Sequence, residues 1–425
     1  MNLRVEKLVY GGEGLARLPD GKAVFLPFVL PGEEVEATLS REKSSFARAV
    51  ADQIIKPSAH RVPPKCPYFA SCGGCHYQHT SYSAQLEFKE AILRETLLRN
   101  AKFEWKYEIK THAAEQWNYR NRTRMKVRGG PDFAIGYHRV ASHDLEPVKN
   151  CPISSPAVNR VLTRIWEMGE RGKVPVGVTE IEFFADHADA RVLLEVYHAP
   201  GAPRIRDFAK ELHACAADIR GTAIFAEPPR GSRGAPRLEQ ILGNSALQYQ
   251  VGEKTFRVSA GSFFQTNRYL VRELAQTVIA DLFGKIALDL YSGVGLFANH
   301  LARTFDQVFA VESSPASAAD LQANALKNVV PVHATAEQFL PRCLNMNPEV
   351  VVVDPPRAGL RARASQLLAA LRMKRIVYVA CDPATLARDV RFFLDFGYQV
   401  EHVHLIDLFP QSFHLESVIQ LVHPH

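Results

Sequence analysis

Apolar and polar positions follow three different schedules along the chain. Over the first fifty-odd residues, short apolar runs such as "KAVFLPFV" and "EEVEATLS" are split by Gly-Gly, Pro-Asp-Gly and Pro-Gly. That punctuation marks short strands joined by tight turns, and five such strands predict a small closed β-barrel over residues 1–57. Near Lys56-Pro57 the pattern breaks, and "SAHRVPPK" reads as a linker. The middle segment, 58–245, mixes elements. "SAQLEFKEAILRETLLRN" starts with a serine in capping position and repeats apolar residues at helical spacing, which predicts a helix from Ser83 to Asn100. From 246 to 425 the schedule becomes regular: apolar strand, loop, helix, repeated.

"IALDLYSG", "QVFAVES", Val350 to Val353 and "RIVYVAC" are near-continuous apolar runs. Runs of this kind suit strands buried on both faces of a parallel sheet, so the fold class is α/β with a Rossmann-like last domain. The final run, "HLESVIQLV", follows "DLFP" too closely for a crossover helix. It is therefore expected to be antiparallel, a closing hairpin strand.

A chain of 425 residues exceeds one ordinary core of roughly 150 residues, which agrees with three parts. With 47% apolar and 23% charged residues it reads as a globular protein. The start, "MNLRVEKL", carries charge and has no secretory h-region, and no run approaches the about 18 uncharged apolar residues of a membrane span. A cytoplasmic, monomeric protein without a membrane partner is expected. Thiols stay reduced there, so closely spaced cysteines point to metal or catalysis before disulfides.

The net charge of +6 is unevenly placed. Residues 1–56 hold eight Lys or Arg against eight Asp or Glu, whereas residues 57–160 hold sixteen against nine, a net of +7. A localised basic surface suits a polyanion, nucleic acid above all. Within it, "YRNRTRMKVR" read as a strand puts Arg120, Arg122, Arg124, Lys126 and Arg128 on one face. Five cations in a row repel one another unless RNA or carboxylates neutralise them.

"DLYSGVGLFANHLA" sets Asp289, Gly293 and Gly295 between a strand and a helix, where glycines admit a ligand close to free N–H groups. Glu312 ends the next strand about twenty residues on, where an acid binds ribose hydroxyls in nucleotide-type folds. The loop is D-x-x-x-G-x-G rather than G-x-G-x-x-G, the form usual for S-adenosylmethionine. Ligands bind beyond the carboxyl ends of such strands. Asp354 and Cys381 lie at two of those ends, and Glu416 begins the antiparallel strand at the same edge. A thiol and a carboxylate beside a methyl donor suit methylation of pyrimidine carbon 5. That carbon becomes nucleophilic only after a thiolate adds at carbon 6, and a base must then remove its proton.

"KCPYFASCGGCHYQH" brings together Cys66, Cys72 and Cys75, and "VKNCPIS" supplies Cys151. Four thiols suit an iron–sulfur cluster or a structural zinc. Cys215 and Cys343 lack such context and read as structural.

Taken with "WNYRNRTRMKV", "FFQTN", "DLYSGVG", "VDPPR", "CDPATLARD" and "FHLESV", the chain resembles the RNA uridine-5-methyltransferase family over nearly its full length, of the kind that modifies 23S ribosomal RNA. The resemblance implies an N-terminal TRAM (OB-like) barrel, an α+β central domain bearing a [4Fe–4S] cluster on Cys66, Cys72, Cys75 and Cys151, and a class I methyltransferase domain. It further implies S-adenosylmethionine contacts from Gln265, Tyr291, Glu312 and Asp354, joining Gly293 of the loop. Cys381 would be the nucleophile and Glu416 the base. Where many relatives read Ser-Cys-Asn-Pro, this chain reads Ala-Cys-Asp-Pro. The alternatives are a tRNA-directed enzyme and a non-catalytic RNA-binding module.

Overall fold

In the computed structural model, which describes residues 1–229, 231–232 and 234–424, the N-terminal run forms six strands rather than five. Their order is Asn2–Arg4, Glu34–Glu42, Phe46–Lys56, Ala23–Pro27, Glu13–Arg17, Lys7–Leu8. The two edge strands are successive pieces of one run. Between them, Val5 N donates to Glu33 O at 2.9 Å and Glu6 N to Leu15 O at 2.8 Å. The sheet thus curls shut around Leu3, Val24, Leu26 and Val35.

The central sheet has seven strands, in the order Leu145–Pro147, Ala134–His138, Arg122–Arg128, Val178–Ala185, Val192–His198, Ile219–Ala226, Arg237–Gly243. Helix Pro156–Glu170 lays Val158, Val161, Leu162 and Ile165 onto it, the spacing of a helix with one apolar face. Its Ser155 cap accepts from Val158 N, and proline fills the first helical position, where the missing N–H costs nothing.

The last sheet runs Val329–His333, Phe305–Glu312, Gly284–Leu290, Val350–Val353, Arg375–Ala380, Glu416–Val422, Gln399–Ile406, Lys110–His112. The first five strands are mutually parallel. Glu416–Val422 is antiparallel between its two neighbours, as its short connection predicts. Glu416 therefore lies at the carboxyl edge, with Ser417 opposite Ala380. Among the described residues no helix is long and apolar enough to cross a membrane.

Two pieces expected in the middle segment pack with this last core. Strand Lys110–His112 joins the sheet edge beside Gln399–Ile406. Helix Tyr82–Asn100 buries Ile92, Leu93 and Leu97 in the cluster that holds Val351, Leu386 and Val390. Its cap is Ser81 rather than Ser83, and that side chain makes no capping bond. The helix is anchored from within instead. Lys89, fully buried, donates to Asp407 Oδ1 at 2.6 Å and Phe409 O at 2.9 Å. Tyr82 Oη donates to the other Asp407 oxygen at 2.8 Å. Gln411, in the left-handed region at φ 68°, then accepts from His76 N and Tyr77 N at 2.8 and 3.0 Å. Loop 407–415, which leads into Glu416, is thereby tied to the helix and to the cysteine-bearing segment.

Breaking a buried ion pair strands the remaining charge, at a cost of about 3–5 kcal/mol. Lys89→Met should lower the urea midpoint accordingly, and adding Asp407→Asn to it should recover part of the loss.

Candidate active site

The loop after Gly284–Leu290 is built from left-handed backbone: Tyr291, Gly293 and Gly295 have φ of 63°, 54° and 91°. The two glycines serve different ends. A Cβ on Gly295 would stand 2.7 Å from Leu321 Cδ1, so close packing excludes a side chain there. A Cβ on Gly293 would meet nothing within 4 Å, because that residue faces a cavity. Glu312 holds the loop open: its carboxylate accepts from Gly293 N at 2.9 Å and from Ser314 N at 2.6 Å. Each oxygen keeps a further lone pair. Asp289 is buried beneath, accepting from Ala298 N at 2.8 Å while its Oδ1 has no partner. Burial pushes its carboxyl up to about 8.

The cavity measures about 760 Å³, and Gln265, Tyr291, Gly293, Glu312, Asp354, Cys381 and Glu416 all line it. The fold therefore brings together all seven residues expected at the cofactor and catalytic site. Asp354 ends strand Val350–Val353, and burial pushes its carboxyl up to about 7. Glu416 is raised well above the usual carboxylate range, first by burial and then by Asp354. Cys381 follows strand Arg375–Ala380. Burial, then Glu416 and Asp354, push its thiol up to about 12, while Arg357 pulls the other way.

Asp382 caps helix Pro383–Asp395 by accepting from Ala384 N and Thr385 N at 3.0 and 2.9 Å. Two turns on, Asp389 accepts from Tyr378 Oη at 2.6 Å and Leu360 N at 2.8 Å. The Cys381 turn and the loop after Asp354 are so fixed to one another. Sequence reasoning assigned no role to Arg357, although "VDPPR" contains it, nor to Tyr10, whose hydroxyl reaches Cys381 O at 3.4 Å from the barrel. A contact across 371 positions leaves no local signal.

Three of the five cations in the row are neutralised by carboxylates. Strand Val178–Ala185 sets Glu180 opposite Lys126 and Glu182 opposite Arg124. Arg122 is buried, with Nε 2.5 Å from Glu182 Oε1, and Arg124 pairs with Glu182 at 2.5 Å. Lys126 bonds to Glu180. Arg120 precedes the strand and donates to Arg122 O at 3.1 Å. Arg128 is exposed and reaches Asp132 O at 2.8 Å. The five do not form one free basic face: Arg122, Arg124 and Lys126 are paired with carboxylates of a strand more than fifty residues away in the chain, while Arg120 and Arg128 donate to backbone carbonyls.

Cys66, Cys72, Cys75 and Cys151 line a second cavity of about 260 Å³, with Tyr68, Phe69 and Tyr137. Burial raises the first three thiols, Cys72 to about 11. Among the described residues no group of three or more His, Cys, Asp or Glu side chains is arranged to hold a metal ion. Arg357 and Phe409 line both cavities, which therefore share a wall. Cys215 and Cys343 lie elsewhere, at a helix end and in the last core.

Residues 81–423 match the family described as tRNA (uracil-5-)-methyltransferase, and residues 1–51 match the TRAM domain. The 23S rRNA (uracil(1939)-C(5))-methyltransferase RlmD of Halomonas elongata is 33% identical, over 99% of this chain and 89% of its own. An uncharacterised RNA methyltransferase of Aquifex aeolicus is 32% identical over 99% and 98%. The crystal structure of the Pyrococcus abyssi tRNA (uracil-54, C5)-methyltransferase, in complex with S-adenosyl-L-homocysteine, superposes with a TM-score of 0.78 at 25% identity, covering 99% of both chains.

A thiol raised to about 12 is mostly protonated at neutral pH, and below that value its thiolate fraction grows tenfold per pH unit. Alkylation of Cys381 by iodoacetamide in the RNA-free protein, followed on its peptide by mass spectrometry, should therefore climb steadily from pH 7 to 10 without a plateau.

Proposed function

Since the chain belongs to the tRNA (uracil-5-)-methyltransferase family, we propose that Cys381 and Glu416 carry out its uracil carbon-5 methylation and that the target is a uridine of 23S ribosomal RNA. The observation that carries the residue roles is their meeting, with Asp354, in one cavity beside the glycine loop. The ribosomal target follows the relative that shares 33% identity over almost the whole chain; the structural relative that acts on tRNA shares less.

The target uracil must leave its stack to enter the cavity. Bound S-adenosylmethionine supplies an electrophilic methyl group. Gln265, Tyr291, Gly293 and Glu312 would hold it, Glu312 through the lone pairs left free for ribose hydroxyls. The Cys381 thiolate adds to carbon 6, and the electron pair moves through carbon 5 to the carbon-4 oxygen. Carbon 5 then bonds to the methyl carbon, and S-adenosylhomocysteine leaves with the sulfonium electron pair. Glu416 in its carboxylate form, made more basic by burial and Asp354, takes the carbon-5 proton. The electrons return through carbon 6 and expel the thiolate. Arg357 is the cation beside that thiolate.

The [4Fe–4S] assignment to Cys66, Cys72, Cys75 and Cys151 is supported by four thiols lining one cavity and by a backbone N–H, that of Gly74, donating to Cys72 Sγ at 3.4 Å. When bound, the cluster would cross-link the segment that carries His76 and Tyr77.

Glu416→Gln should methylate carbon 5 yet fail to release product, so a denaturation-resistant protein–RNA adduct should accumulate. Cys381→Ala should lose turnover by more than a thousandfold while binding RNA within about threefold, since nucleophile loss removes the covalent route. An unmodified 23S rRNA transcript should accept methyl groups and tRNA transcripts should not; the reverse would reassign the substrate. Anaerobically purified protein should be brown and contain about four irons per chain. Colourless, zinc-loaded protein would reject the cluster.

A further inference from the structure

Arg122 does more than neutralise its neighbours. Its guanidinium is buried over the Phe184 ring, and each nitrogen has a separate partner. Nε donates to Glu182 at 2.5 Å, Nη2 to Glu195 Oε1 at 3.4 Å, and Nη1 to the Ser262 carbonyl at 2.5 Å. That same Glu195 oxygen accepts from Gly261 N at 2.8 Å, and Tyr197 Oη donates to the other at 2.5 Å. Ser262 is gripped from the opposite side, its hydroxyl donating to Asp320 at 2.7 Å. Next door, Asn121 N donates to Thr266 O at 3.0 Å and Arg268 N to Tyr119 O at 2.9 Å. Segment 119–122 of the central sheet therefore runs along segment 261–268. Gly261, Phe263, Gln265 and Thr266 of that segment form one wall of the large cavity.

We propose that Arg122, acting with Glu195, is a positioning residue for the S-adenosylmethionine site: it clamps the Gly261–Thr266 loop so that Gln265 is held ready for the cofactor. The inference rests on the reading of that cavity as the cofactor site. It assigns a cation in the basic central segment to cofactor binding rather than to RNA. The clamp also makes the central sheet a part of the methyltransferase site. A charged group is suited to this task because a buried guanidinium must be fully partnered, so the loop carbonyl cannot leave without stranding a donor.

The test compares wild type, Arg122→Gln, Arg122→Lys and Glu195→Gln for S-adenosylhomocysteine affinity by calorimetry, RNA affinity by filter binding, and amide exchange at 259–268. If the ready state of the loop falls to a tenth of the population, Arg122→Gln should weaken S-adenosylhomocysteine about tenfold. RNA affinity should stay within about twofold, and faster exchange should be confined to the loop. Arg122→Lys should restore part of the affinity, since it returns the charge without the fork. Should Arg122→Gln fail to fold, Glu195→Gln keeps an acceptor for Gly261 N and should weaken S-adenosylhomocysteine in the same direction. Unchanged S-adenosylhomocysteine affinity in the folded variants, or a loss of RNA affinity alone, would overturn the proposal. Failure of wild type to bind S-adenosylhomocysteine would instead refute the cofactor reading itself.

Discussion

Lys89 and Asp407 are both shut away from water, and the 2.6 Å contact between them ties helix Tyr82–Asn100 to the loop that leads into Glu416. A lone charge at that depth would be untenable, so each requires the other. Lys89 sits on helix Tyr82–Asn100, while Asp407 opens the loop that ends at Glu416. Along that loop Pro410 O accepts from Tyr119 Oη at 3.0 Å, and Leu408 O accepts from Asn267 Nδ2 at 3.1 Å. Gln411 adds the cysteine-bearing segment through His76 and Tyr77. The loop leading into Glu416 is thus held by the helix, the cysteine-bearing segment, Tyr119 and Asn267, and the barrel reaches Cys381 through Tyr10.

The electrostatics of the cavity follow from the same enclosure. Asp354, Glu416 and Cys381 line one cavity with Asp289 buried beneath it, and burial is the leading cause of each upward shift. Asp354 and Glu416 cannot both ionise cheaply at short range, which raises the proton affinity of Glu416 further. The carboxylate form of such a group is the stronger base, so Glu416 has to be ionised when the carbon-5 proton is taken. The thiol bears the opposite consequence, being harder to ionise until Arg357 or the substrate changes its surroundings. Clamping by Arg122 on the far wall completes the enclosure from the central sheet.

Much of this was legible in the sequence, for physical reasons. Strands buried on both faces announce themselves as unbroken apolar runs, and Val350–Val353 is buried at every position. The Glu416 strand was placed by connection length alone, and the glycine loop by residues that only left-handed backbone or close packing requires. What stayed hidden depends on pairing across long separations. Nothing near Arg124 or Lys126 foretells Glu182 and Glu180. Strand Lys110–His112 is three residues long, too short to show a period, and it joins a sheet whose other strands begin at residue 284. Lys89 breaks the apolar face of its helix, and only its partner 318 positions away explains why.

The proposed reaction requires Cys381 to bond covalently to the uracil ring. The direct measurement is trapping with 23S rRNA that carries 5-fluorouridine, in the presence of S-adenosylmethionine, followed by peptide mapping. Fluorine at carbon 5 cannot be removed as a proton, so the carbon–sulfur bond should persist after methyl transfer. A single denaturation-resistant adduct on the Cys381 peptide is expected, absent from Cys381→Ala. Methyl transfer to unmodified RNA without any such adduct, or an adduct on another residue, would contradict it.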